Sequence, residues 1–102
     1  MNLDLEARYL EIMLNILNEF TPEYEVRIFG SRVRGTSRKY SDVDLLFIGK
    51  KQLDTKILNN LKDLFSCSDL PYMVDIIDWQ TISDSFREAI GSNSIVIKKG
   101  SN

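Results

Sequence analysis

The chain has 102 residues, 43% of them hydrophobic, with 13 basic and 15 acidic side chains and a formal net charge of -2. That length predicts one domain, 1–102, built on a single core, and the charge balance excludes the broad positive footprint of a protein that grips a nucleic-acid backbone. No apolar run approaches the length of a membrane span, and the acidic start from Met1 to Glu6 lacks the basic opening of a signal peptide, so the expected location is cytoplasmic.

The lone cysteine, Cys67, cannot form an internal disulfide and reads as a small residue at a helix end. With no histidine in the chain there is no zinc-type ligand set and no ordinary neutral-pH base. Catalysis would have to use carboxylates and metal ions.

In chain order, Asp4 or Asn2 is placed to cap a first helix, along which Leu5, Tyr9, Ile12, Met13, Ile16, Leu17 and Phe20 recur on one face. Thr21-Pro22 ends it, because the residue before a proline is pushed out of helical geometry. A first strand is predicted from Tyr24 to Phe29, feeding Gly30-Ser31. Between Ser31 and Tyr40 the sequence predicts a short helical turn and then a mobile loop, since Gly35-Thr36-Ser37 breaks periodicity. Its cations, Arg32, Arg34, Arg38 and Lys39, either add positive charge near a bound anion or form a solvated loop that touches nothing.

Asp42 to Ile48 is a second strand, closed by Gly49-Lys50-Lys51. A second long helix opens at Asp54 or Thr55, with Ile57, Leu58, Leu61, Leu64 and Phe65 inside and Lys56, Asn60, Lys62 and Asp63 outside. Asp69-Leu70-Pro71 marks the connection to a third strand, Met73 to Ile77. Asp78 begins a turn and caps the residues after it. Thr81 or Ser83 opens a last helix through Ile90, with Ile82, Phe86, Ala89 and Ile90 inside and Gly91 as its stop. Ser94 to Lys98 has strand composition, suited to an edge strand or a partner contact, and Lys99 to Asn102 is expected to fray. The predicted fold is a single α/β domain, a small mixed sheet with helices packed on it.

Chemistry concentrates between Arg27 and Gly49. Side chains two apart on a strand share a face, so Asp42 and Asp44 point the same way. Two carboxylates that close repel each other unless a cation lies between them, and oxygen ligands alone suit Mg²⁺ or Mn²⁺. Gly30 lets the backbone approach a ligand, and Ser31 can cap the turn after it, whose exposed N–H groups would bind phosphate oxygens. Asp75, in the middle of an apolar strand, needs a cation: a metal, or structurally Arg27 or Arg32.

Gly30-Ser31, ten residues, then Asp42-x-Asp44 resembles the signature of the DNA polymerase beta-like nucleotidyltransferase superfamily, and the chain as a whole resembles its minimal members, the MNT domains. The resemblance implies that Asp42, Asp44 and Asp75, the last within Val74-Asp75-Ile76-Ile77-Asp78-Trp79, hold two Mg²⁺ ions. It implies that Gly30, Ser31, Arg32 and Arg34 bind the triphosphate of ATP, and that a hydroxyl attacks the α-phosphate while pyrophosphate leaves.

Larger relatives carry a second domain for the acceptor, so here the acceptor is expected on another chain. MNT proteins resemble the antitoxin halves of HEPN/MNT toxin–antitoxin pairs, which implies transfer of AMP to a HEPN-type helical ribonuclease in a hetero-oligomer. Two other readings stand beside this one: a non-catalytic antitoxin that blocks the HEPN partner by binding, and a free-standing transferase for a small hydroxyl compound. Trp79, Tyr72 and Ile95-Val96-Ile97 are candidates for a contact surface, with Trp79 equally suited to packing under the last helix.

Overall fold

The computed structural model describes residues 3–36 and 41–101. The expected loop residues Ser37 to Tyr40, with the cations Arg38 and Lys39, lie outside the described residues, as do Asn2 and Asn102. The elements are α1 (Ala7–Phe20), β1 (Glu25–Phe29), α2 (Ser31–Arg34), β2 (Val43–Ile48), α3 (Thr55–Cys67), β3 (Val74–Asp78), a 3₁₀ turn (Trp79–Thr81), α4 (Asp84–Gly91) and β4 (Ser94–Lys98).

The strands form one mixed sheet in the order β3-β2-β1-β4. β1 runs antiparallel to both β2 and β4, while β3 runs parallel to β2. A parallel neighbour requires a crossover, and α3 supplies it. On one face of the sheet Val26 and Ile28 of β1 and Val43, Leu45 and Phe47 of β2 pack with Met13, Leu17, Leu61 and Phe65 from α1 and α3. Burying each of these side chains is worth about 1.5–3 kcal/mol, which fixes the register of the two central strands.

The alternate residues, Arg27, Phe29, Asp44 and Leu46, and their β3 neighbours Asp75 and Ile77, belong to the other face. α4 approaches this face, and Arg34 of α2 reaches the cleft at its Asp44 end. Phe86 of α4 meets Phe29 edge-on, with ring centroids 6.4 Å apart, and Arg27 Nη1 donates to Gly91 O and Ser94 Oγ.

Several local expectations are corrected. α1 begins after Glu6, with no side-chain cap; Asp4 lies two residues before that cap position, and its backbone N–H donates to Arg32 O. Of the two openings expected for the last helix, Ser83 is the one used, its hydroxyl accepting from Phe86 N, while Thr81 closes the 3₁₀ turn. Asp78 caps that turn as expected and also accepts from Leu53 N, pinning the segment before α3. Phe86 and Ala89 are not buried, and Ile90 is the buried residue of α4, since this helix covers the sheet by one edge. Gly91 is the last helical residue rather than a left-handed stop, with Ser92 as the cap.

The tail is not frayed over its described part. Lys98 Nζ donates to the carbonyls of Pro22, Tyr24 and Lys99, Ser101 N and Oγ both donate to Pro22 O, and Gly100 lies so close to the Glu23 backbone that no Cβ would fit. This clasp fastens the end of β4 to the turn between α1 and β1. Lys98→Ala removes the side-chain donor to the Tyr24 carbonyl and one of the donors to Pro22 O, which keeps the Ser101 bonds, and should lower stability by about 1–3 kcal/mol. The expected readout is a lower urea midpoint with an unchanged slope; an unchanged midpoint would show that the clasp contributes nothing.

Candidate active site

Strand pairing assembles the site. Phe29 of β1 is opposite Asp44 of β2, and Asp44 is beside Asp75 of β3. Gly30, Asp44 and Asp75 therefore come together at one end of the sheet. Gly30 ends β1 at φ 82 and ψ -150, backbone that only glycine adopts without strain. A Cβ built there would overlap Asp44 Oδ2. The expected role of Gly30, close approach to a ligand, therefore has a nearer cause, which is room for the Asp44 carboxylate.

Asp44 is partly buried, and its pKa is raised above the usual carboxylate value. Burial is the largest cause, followed by the negative charge of Asp75 and of Asp42 and a side-chain hydrogen bond with Asp75; Arg34 opposes them. Asp75 itself is exposed. Its predicted structural alternative, pairing with Arg27, is not what the fold provides, because Arg27 Nε is bonded to Glu25 Oε2 at 2.7 Å. Asp42 stands one residue before β2 and is exposed, near enough for its charge to act on Asp44.

Among the described residues no group of three His, Cys, Asp or Glu side chains lies together closely enough to hold one ion. Asp44 and Asp75 form a close pair, and Asp42 stands just before the strand pairing that begins at Val43. The pair still fits Mg²⁺ or Mn²⁺, which need one or two carboxylates and complete their shell with water and phosphate oxygens. Two carboxylates that share a hydrogen bond and raise each other's charge conflict are a donor set that a divalent cation would relieve.

The pair opens into a cleft of about 1010 Å³ lined at this end by Gly30, Arg34, Asp44 and Asp75. Its apolar lining includes Phe29, Phe65, Leu70, Ile77 and Phe86. Arg34 is exposed and reaches the cleft. Ser31 is the first residue of α2, with Gly30 in the cap position; Gly30 O accepts from Val33 N and Arg34 N, and Ser31 does not cap the helix as predicted.

Arg32, expected beside the triphosphate, is instead buried and absent from the cleft lining. Its guanidinium donates to the carbonyls of Ser41 and Asp4 and stacks on Tyr72. Trp79 takes the packing role: Arg87 of α4 stands over its ring and donates twice to its carbonyl. The aromatic pair Phe29 and Phe86 at the cleft was missed from the sequence, although alternation from Asp44 through its partner strand could have placed Phe29 on the carboxylate face.

Residues 10–102 match the family model "Polymerase beta, Nucleotidyltransferase". A Haemophilus influenzae protein named "Probable protein adenylyltransferase MntA" is 45% identical over 97 residues, covering 95% of this chain and 85% of that one. Among solved structures, a toxin–antitoxin complex with AMP-PNP superposes with a TM-score of 0.74 at 21% identity, over 88% of this chain and 73% of the other. A tri-AMPylated Shewanella oneidensis HEPN toxin in complex with MNT antitoxin gives 0.69 at 18%, over 93% and 73%. At these identities the two structures establish a shared fold.

The raised Asp44 pKa has a signed consequence. The folded state binds a proton that the unfolded chain releases near 3.8, so without divalent metal stability should fall as pH rises from that value through the folded pKa, then level off. Asp44→Asn should remove this slope and raise Tm at neutral pH, each 1 kcal/mol so relieved being worth about 4–8 °C. Equal melting of both proteins across the pH range in chelator would refute the charge conflict.

Proposed function

The chain belongs to the polymerase beta nucleotidyltransferase family, and from that premise we propose that it transfers AMP from ATP to a hydroxyl of a HEPN-type toxin and so acts as the antitoxin of the pair. The single observation that carries this reading is the Asp44–Asp75 pair set against Gly30 at the mouth of an open cleft, in a chain close to a named adenylyltransferase along nearly all its length. The match over 10–102 supports taking the chain as one minimal nucleotidyltransferase domain. The neighbouring complexes that pair this fold with a HEPN toxin support an acceptor on a separate protein and a hetero-oligomer. A reaction that draws on ATP and acts on a ribonuclease belongs in the cytoplasm.

Asp44 and Asp75 would hold Mg²⁺, with Asp42 adding a carboxylate from the start of β2 toward the second ion of a two-ion site; Mn²⁺ has the same ligand chemistry. When bound, the metal offsets the charge of the triphosphate and lowers the pKa of the attacking hydroxyl. The chain's own groups do the rest. The Gly30-Ser31 turn lets phosphate oxygens approach the backbone, and Arg34, the exposed cation at this end of the cleft, draws the anion toward it. Asp75, the more accessible of the paired carboxylates, accepts the hydroxyl proton as the acceptor O–P bond forms and the bond to pyrophosphate breaks.

Coexpressed with its HEPN-type partner and supplied with Mg²⁺ and ATP, the protein should add about one AMP mass per modified site to the partner, read by intact-mass spectrometry. Asp44→Asn should lower the rate by orders of magnitude, since several kcal/mol of charge stabilisation goes with the carboxylate. Ser31→Ala should weaken ATP binding without disturbing the fold. Partner neutralisation with no mass change would favour the binding-only reading, and AMP appearing on a small hydroxyl compound alone would overturn the protein acceptor.

A further inference from the structure

Arg32 is 4% exposed and sits where three chain segments meet. Nη2 donates to Ser41 O at 2.9 Å, Nη1 donates to Asp4 O at 3.2 Å, and Arg32 O accepts from Asp4 N at 2.9 Å. The guanidinium lies 4.3 Å from the Tyr72 ring centroid, and Tyr72 in turn meets Tyr9 of α1 edge-on at 5.5 Å. These contacts fix segments that carry parts of the site. Arg32 itself comes directly after the Gly30-Ser31 turn, Ser41 immediately precedes Asp42 and the start of β2, and Tyr72 leads into β3 and Asp75. The backbone bond that joins β2 to the β3 segment at this end, Val43 N to Met73 O at 2.9 Å, lies two residues beyond Ser41 and one beyond Tyr72.

We propose that Arg32 is a positioning residue of the transfer site: its buried fork sets the start of β2 and of β3 relative to the Gly30 turn, and so holds Asp44 and Asp75 together, with Asp42 beside them, without touching the nucleotide. The proposal rests on the assignment of those carboxylates to the metal. Arg34, two residues on, is exposed on the cleft and is the anion-facing cation of the same turn. Only arginine serves at position 32, because a planar guanidinium reaches two carbonyls in one plane while presenting its face to an aromatic ring; lysine offers a single point of charge.

The test is Arg32→Lys in the full chain, with Mn²⁺ affinity measured by electron paramagnetic resonance on the chain alone and AMP transfer measured with the partner. Losing outer-shell support should weaken Mn²⁺ binding and lower kcat, each by about 10–100-fold, while KM for ATP stays near wild type. In the same assay Arg34→Ala should raise KM for ATP. A raised KM with kcat and Mn²⁺ affinity retained in Arg32→Lys would make Arg32 a direct nucleotide contact and overturn the proposal, as would unchanged Mn²⁺ affinity accompanied only by a lower Tm.

If Arg32→Lys does not fold by circular dichroism, Tyr72→Leu, which removes the stacking face and leaves the two hydrogen bonds, is read for Mn²⁺ affinity in its place. Weaker binding supports the proposal and equal binding defeats it. A wild-type chain that binds Mn²⁺ but never modifies a partner would refute the proposed function and leave the Arg32 test standing.

Discussion

Gly30 and Asp44 compete for one space. The turn at the end of β1 and the carboxylate on β2 are opposite each other because Phe29 pairs with Asp44, and the left-handed backbone at Gly30 is what lets the carboxylate lie against the turn. The remaining architecture serves to keep that approach. Asp75 reaches Asp44 only if β3 is parallel to β2 and in register, which demands a crossover, and α3 is that crossover. α3 and α1 must then have a sheet face to bury, which Val26, Ile28, Val43, Leu45 and Phe47 provide.

β2 shows how the apolar residues determine where the charge goes. Val43, Leu45 and Phe47 are fully buried and alternate with Asp44, so the strand has one register that puts its carboxylate on the cleft face. A slip of one residue would drive Asp44 into the core, where an unpaired carboxylate is far more destabilising than any loss of backbone pairing. Core packing thus supplies the free energy that holds two like charges together, and Asp44, raised first by burial and then by the charge of Asp75, bears both costs.

Much of this was legible in the sequence, unevenly. The first three strands, the two long helices and the Asp54 and Ser83 caps come from alternation, helical spacing and turn chemistry acting over neighbouring residues. The glycine-serine turn and the carboxylates were recognisable from their types and spacing. The features that were not legible depend on contacts between residues far apart in sequence. Arg32 reads as a loop cation until Ser41, Asp4 and Tyr72 close around it. The last residues read as a fraying end until Lys98 and Ser101 find carbonyls of a turn more than seventy positions earlier. Phe86 reads as core because helical spacing cannot tell whether the face it marks will be covered.

That uncovered face has its own physical reason. α4 buries Ile90 but leaves Phe86 41% exposed, so the carboxylate side of the sheet has only a partial second layer. A full layer of helices would add apolar burial worth about 25 cal/mol per Å², yet it would also strip water from Asp44 and Asp75. Asp44 is already raised chiefly by burial, and deeper burial would hold it protonated and unable to ligate a cation near neutral pH. A pair that is to hold a cation, as proposed, has to stay ionised, and that limits how fully this face can be covered.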